Sequence, residues 1–188
     1  MRLLALALPL VAASSALAST ISELDKRYVT QEGSFMPSWA GEGYGALGVT
    51  AQFACCGLYN YSEIPSGQPI RIAKIQAPKF FFPTFSEWAG KPSLIGLGGP
   101  RKLHCMDVGE SPRDGTTVRL QDCDINKRGQ RWRILLNTYD GGKGKVRLAD
   151  TDLCFDVPDG NSTNNLQVWT CYKWNKNQDF TFSYHKKQ

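Results

Sequence analysis

Residues 154–180 read CFDVPDGNSTNNLQVWTCYKWNKNQDF, and two short alternating segments lie within them. Side chains on a strand point to opposite faces in turn, so Phe155 and Val157 face one way and Asp156 the other. In the second segment Leu166 and Val168 point inward, while Gln167 and Trp169 point outward. Asp159-Gly160 between the segments is a turn signal. An aromatic as large as Trp169 on the polar face requires a reason. Asp156, Gln167, Trp169, Asn177 and Gln178 can together form a shallow polar site with an aromatic floor. That composition suits a sugar, which offers hydroxyls at its edge and C–H groups on one face. Asp156 alone has a plainer reading as a turn cap, and Trp169 as a residue covered by the N-terminal arm or a neighbouring chain.

The same pattern recurs upstream. Cys105-Met106-Asp107-Val108 precedes Cys154-Phe155-Asp156-Val157 by about 49 residues, a spacing in the range of internal repeats. Val118–Cys123 aligns with Leu166–Cys171, and Gln130-Arg131-Trp132 with Gln178-Asp179-Phe180. One further step back reaches Cys56, followed by Ser66-Gly67, Pro69-Ile70-Arg71-Ile72 and Ser86-Glu87-Trp88. This first copy is degenerate and carries an insertion around Phe80-Phe81-Phe82-Pro83. Gly, Pro, Asn and Asp punctuate short apolar runs from Ala46 onward, and no long 3.6-residue period appears. Three such units predict an all-β chain closed around a pseudo-threefold axis, which removes edge strands.

Six cysteines occur in the chain. The repeat predicts Cys105–Cys123 and Cys154–Cys171, each closing a short loop and contributing about 3 kcal/mol by restricting the unfolded chain. Cys55 and Cys56 have no repeat-matched partner. A strained vicinal bridge, free thiols and pairing between chains all remain open for them.

Met1–Ala18 reads as a secretory signal peptide: Arg2, an apolar run from Leu3 to Ala13, then Ala16-Leu17-Ala18. The run is too short for a membrane span. Residues 19–45 are expected to be a leader or arm, with a dibasic Lys26-Arg27 that is either a propeptide cut site or a chance pair. The domain is then expected over 46–185, in a secreted, extracellular protein. Asn60 and Asn161 begin glycosylation sequons. The net charge of +5 is scattered, with no basic stripe interleaved with aromatics, so nucleic acid is not an expected partner. Two histidines, of which His185 lies near the end and His104 beside a paired cysteine, leave no catalytic His constellation and no zinc site. No cofactor or metal is expected. Gly141-Gly142-Lys143-Gly144-Lys145 lacks the order of a phosphate loop and is expected to be a flexible turn. Phe80–Phe82 is expected either beneath a loop or as an exposed patch.

Taken together, CFDV, LQVWTC and NQDF, with the second set CMDV, VRLQDC and GQRW, resemble the repeats of ricin B-chain-type lectins. The clear resemblance covers about residues 96–184. It implies a β-trefoil and carbohydrate binding, often of galactose or N-acetylgalactosamine, without catalysis. Carried over residue by residue, it implies that Asp156 accepts hydrogen bonds from sugar hydroxyls and that Trp169 stacks on the sugar's apolar face. Gln167 and Asn177 line the site, and Gln178 supports it. In the second unit Asp107 and Gln130 remain, but Gln121 replaces the aromatic, Arg119 the strand Gln and Gly129 the Asn. A weak, altered or dead site is expected there, and none in the first unit, where Leu58 stands at the Asp position. The partners implied are galactose-like glycans. The other reading is a trefoil scaffold whose loops bind a protein or inhibit a protease, a role that would not require the Asp156-Gln167-Trp169-Asn177 set.

Overall fold

The computed structural model describes residues 30–38, 47–49, 66–72, 80–83, 91–99, 102–136, 143–161 and 163–184. The signal peptide, Arg27, Cys55, Cys56, Asn60 and His185 lie outside them. Among the described residues there are thirteen strands and three short 3-10 turns, and no α-helix. The strands are β1 (Thr30–Pro37), β2 (Leu47–Val49), β3 (Ile70–Ile72), β4 (Phe80–Pro83), β5 (Gly96–Gly99), β6 (Lys102–Asp107) and β7 (Thr116–Thr117). They continue with β8 (Arg119–Asp122), β9 (Trp132–Leu136), β10 (Lys143–Leu148), β11 (Leu153–Asp156), β12 (Gln167–Thr170) and β13 (Phe180–Tyr184). One sheet runs β7-β12-β11-β10-β13-β1-β4-β5-β6-β8, with β9 on β10, and β2 pairs β3 separately.

The pseudo-threefold axis is written in three backbone hydrogen bonds. Ile70 N–H donates to Val118 O (3.3 Å), Val118 N–H to Leu166 O (2.8 Å), and Leu166 N–H to Ile70 O (2.7 Å). The three residues occupy the same position in the three units and are all buried. Buried amides must find partners, and a closed ring satisfies all three without leaving an edge. The contacts between units repeat as well. Gly67 N–H donates to Leu120 O in the next unit, and Gly115 N–H to Val168 O in the one after. Gly67 and Gly115 both have positive φ (86° and 85°), a conformation glycine adopts without steric cost. The degenerate first unit thus keeps its place in the ring.

Around this axis Trp132, Phe155, Phe180, Ile95, Met106 and Leu120 are fully buried. Trp132 and Phe155 have ring centroids 4.4 Å apart, and the indole N–H donates to Met106 O at 2.9 Å. Each such side chain contributes about 1.5–3 kcal/mol through burial. The aromatics that follow Gln130 and Gln178 therefore fill the core. Both disulfides expected from the repeat, Cys105–Cys123 and Cys154–Cys171, are present.

Two expectations are corrected. Thr30–Pro37, read as part of an arm, is strand β1, hydrogen-bonded between β13 and β4. Its sequence TQEGSFMP shows no alternation, but backbone groups alone suffice to pair it. Lys143-Gly144-Lys145, read as a flexible turn, opens β10. Burial alternates along that strand, with Gly144, Val146 and Leu148 inward. Gly144 is required by a close approach: a β-carbon there would lie 2.5 Å from Leu135 O. Phe80–Pro83 is strand β4, pairing with β1 and β5.

Candidate functional site

β11 and β12 form an antiparallel hairpin in the register Cys154↔Trp169, Phe155↔Val168 and Asp156↔Gln167. Directly opposed residues share a face, so Phe155 and Val168 enter the core while Asp156, Gln167 and Trp169 share the other side. The turn between the strands contains Asp159 (φ 56°) and Gly160 (φ 60°). Leu166 and Val168 are buried, whereas Trp169 is 39% exposed.

Asp156 is only 5% exposed, and both its oxygens are held. Gln167 Nε2 donates to Oδ1 at 3.0 Å, and Asn175 Nδ2 donates to Oδ2 at 3.0 Å. Each carboxylate oxygen has two lone pairs, so each retains an acceptor site beyond these bonds. Asn175 also accepts from Asn177 N–H with its own Oδ1 (3.0 Å), capping the 3-10 turn Lys176–Gln178. It links the carboxylate to the loop that carries Asn177. The Asn177 carbonyl accepts from Val157 N–H (3.0 Å), and its Oδ1 lies where a β-carbon on Gly160 would approach to 3.1 Å. Glycine at 160 thus answers to both a left-handed φ and a tight neighbour.

Gln178, expected to support the site, is fully buried and tied to backbone at both ends. Its Oε1 accepts from Tyr172 N–H and its Nε2 donates to Thr170 O, both at 2.9 Å. That makes it a support of the loop. Gln130 repeats the arrangement in the second unit, accepting from Asp124 N–H and donating to Asp122 O.

Sequence reasoning missed two residues. Asn175 belongs to no motif block, although its place two residues before Asn177 in a short polar loop was visible. Asp114 lies in the second unit and accepts from both the backbone N–H (2.6 Å) and the hydroxyl of Thr170. The adjacent Gly115 lies beneath the indole, with Trp169 Cζ3 3.8 Å from where a β-carbon would stand. The second unit therefore supplies the wall that fixes the Trp169 strand.

The second-unit residues are arranged differently. Asp107 accepts from Gly109 N–H through Oδ1 and from Gln130 Nε2 (2.7 Å) through Oδ2. Gly129, at the Asn position, is buried so closely that a β-carbon would overlap the Gly109 carbonyl oxygen. Arg119 turns toward the first unit and donates to Gly67 O. Gln121 is half-buried and offers no aromatic face.

Among the described residues no group of three or more His, Cys, Asp or Glu side chains is placed to hold a metal. His104 is buried on β6, with Asp122 Oδ1 3.5 Å from its Nδ1. What the third unit offers is a fixed carboxylate, amide groups on either side of it and a half-exposed indole two residues along the same face. These are acceptors and donors for adjacent hydroxyls, and a flat surface for C–H groups.

Among solved structures the chain is similar to the designed three-fold symmetric protein ThreeFoil, at 15% identity and a TM-score of 0.58, covering 81% of this chain and 97% of that one. It is also similar to the Macrolepiota procera ricin B-like lectin in complex with lactose, at 13% identity and a TM-score of 0.56, covering 81% and 94%. At these identities the likeness is one of fold, and the fold is an all-β trefoil. No curated protein matches the chain. The model of the ricin-type beta-trefoil lectin domain family matches residues 97–188, which span both intact repeats and the site. Residues 97–188, the second and third units, thus match the ricin-type beta-trefoil lectin domain family.

Proposed function

We propose that this protein is a secreted, non-catalytic lectin that recognises a galactose-like sugar through its third unit. The observation that carries this reading is the Asp156 carboxylate, braced by Gln167 and Asn175, beside the half-exposed Trp169. A carboxylate acceptor makes shorter and stronger hydrogen bonds to hydroxyls than a neutral group does. The second unit serves as an internal contrast, since it keeps the Asp but not the aromatic or the Asn. The lactose held by the structurally similar fungal lectin supports a galactose-containing ligand. Secretion is supported by the apolar N-terminal stretch and by disulfides, which persist in oxidising compartments. In this reading the domain spans 46–185, with β1 of the preceding segment added to its sheet.

The test is isothermal titration with galactose. Trp169→Ala is expected to weaken binding about tenfold, the equivalent of about 1.4 kcal/mol. Unchanged affinity would remove the indole from the site.

Asn161 gives a second expectation. It is exposed at the tip of the β11–β12 connection, and its Oδ1 accepts from both Thr163 N–H (2.9 Å) and Thr163 Oγ1 (2.8 Å). Its Nδ2, the atom a glycan joins, takes no part in those bonds. Gly160 beside it faces Asn177. Protein secreted by a glycosylating host is expected to carry a glycan at Asn161 that crowds the site. Asn161→Gln should then bind galactose at least about twofold tighter (about 0.4 kcal/mol). Intact mass before and after deglycosylation, with parallel titrations, checks both halves. An unmodified Asn161, or equal affinities, would contradict the expectation.

A further inference from the structure

The five exposed large hydrophobic side chains among the described residues are Ile125, Leu135, Trp169, Tyr172 and Trp174, and three of them fall within residues 169–174. Trp174 is 82% exposed and Tyr172 57%. A tryptophan this exposed contributes almost nothing to the core, so the fold does not explain it. The two occupy a turn, Tyr172–Asn175, closed by Asn175 N–H donating to Tyr172 O at 3.3 Å. Lys173 Nζ sits 4.7 Å from the centre of the Trp174 ring and covers one face of the indole.

The second unit shows what the same turn looks like without this feature. There the positions of Tyr172 and Trp174 are held by Asp124 and Asn126, and Lys127 N–H closes the turn onto Asp124 O. Lys127 makes no side-chain cap to the 3-10 turn that follows. In the third unit the corresponding residue is Asn175, which bonds to Asp156 Oδ2 and so ties the turn to the site carboxylate. The exposed aromatics and this tether occur in the same unit, the one that also keeps Asp156, Gln167, Trp169 and Asn177.

We propose that the third-unit site is extended, with Trp174, flanked by Tyr172, acting as a second aromatic platform. It takes the next residue of a glycan chain whose terminal residue is held by Asp156 and Trp169. The ligand class is thus an oligosaccharide rather than a single sugar, and the proposal rests on the sugar-binding reading of that site. Continuity with the site carries the choice of occupant: Trp174 immediately precedes a residue that touches Asp156. The chemistry of the patch agrees. The exposed large hydrophobics of this stretch, Trp169, Tyr172 and Trp174, are all aromatic, and they are interleaved with Lys173 and Asn175, whose ammonium and amide groups can donate to sugar hydroxyls. Trp174 lies five residue steps along the chain from Trp169, an upper span of about 17 Å that the turn shortens, within reach of a short oligosaccharide.

The experiment is a titration of the full chain and of Trp174→Ala with galactose, lactose and a linear galactose-terminated trisaccharide. The fold of the variant is checked by its near-ultraviolet spectrum and urea midpoint. The wild type is expected to gain at least about fivefold in affinity from galactose to the trisaccharide, about 1 kcal/mol. In Trp174→Ala that gain should fall below about twofold, about 0.4 kcal/mol. A wild type that binds all three sugars equally, or a gain that survives in the variant, overturns the extension while leaving the primary site standing. Binding to none of the three overturns the sugar site itself. Loss of binding to phosphatidylserine-containing vesicles in the variant, with the trisaccharide gain intact, overturns the extension in favour of a membrane surface.

Discussion

Asp156→Ala is expected to lower galactose affinity by about 100-fold or more, about 2.7 kcal/mol, in isothermal titration. The change removes the acceptor that a sugar's adjacent hydroxyls would share. It also strands the Nε2 of Gln167 and the Nδ2 of Asn175, each of which donates to this carboxylate at 3.0 Å. A donor left without an acceptor in a mostly buried place costs about 1–3 kcal/mol, so the variant should be less stable as well. Asp156→Asn separates the two effects. It keeps the shape, but its amide must turn an NH2 group toward one of the two donors, so it should also bind poorly while keeping its fold. Asp107→Ala, in the second unit, should change galactose affinity by less than about threefold, about 0.6 kcal/mol. If Asp107→Ala abolishes binding and Asp156→Ala does not, the site lies in the wrong unit.

The largest expected effect on stability is at the buried glutamines. Gln130 makes three hydrogen bonds, to Asp124 N–H, to Asp122 O and to Asp107 Oδ2. Gln178 makes the first two of these in its own unit, with Tyr172 N–H and Thr170 O. Both side chains are fully buried. Removing Gln178 leaves a part-buried N–H and a part-buried carbonyl without their partner, a cost of about 2 kcal/mol. Removing Gln130 strands the same two groups and also withdraws a partner from the Asp107 carboxylate, which is only 7% exposed. A partner lost to a buried charge is the more expensive change, so about 3–4 kcal/mol is expected for Gln130→Ala. Urea unfolding of the two alanine variants beside the wild type gives the comparison. Equal losses would show that the bond to Asp107 carries no weight, and losses under about 1 kcal/mol would mean that neither glutamine fastens its loop.

Much of this architecture was legible because the sequence repeats itself. Ile70, Val118 and Leu166 stand at one position in three aligned blocks, and that position became the hydrogen-bonded ring at the axis. The cysteine pairs followed from the same alignment. The alternation Leu166-Gln167-Val168-Trp169 gave the direction of each side chain, because one face of the hairpin had to enter the core. What was not legible depended on contacts that no local pattern records. Asp114 reaches Thr170 across 56 residues and across a boundary between units. Asn175 was overlooked because its importance lies in a side chain turned back toward Asp156, not in its spacing from the cysteines. β1 was read as an arm because it joins the sheet through its backbone, and its side chains carry no strand period. The Lys143-Gly144-Lys145 segment looked flexible, yet Gly144 is there because Leu135 passes too close for a side chain.

The contrast between the second and third units sets the scaffold apart from the proposed site. Gln130 and Gln178 are retained in both units because each fastens its own loop. The residues that differ, Trp169 against Gln121 and Asn177 against Gly129, face outward or line the loop. None of the four belongs to the apolar core cluster, although Gly129 has no room for a side chain. In the second unit the loop closes tightly on itself through Gly129 and Gly109, and Asp107 is absorbed into that packing.

The central claim is that one unit of three binds sugar. A two-dimensional 1H–15N spectrum of the labelled protein, titrated with galactose, tests it most directly. Shift changes should gather on the Trp169 indole N–H, the side-chain amides of Gln167, Asn175 and Asn177, and the backbone near Asp156. The signals of Asp107, Gln121 and Gln130 should stay still. A spectrum that does not change at saturating galactose, or one whose changes gather in the second unit, would contradict the account.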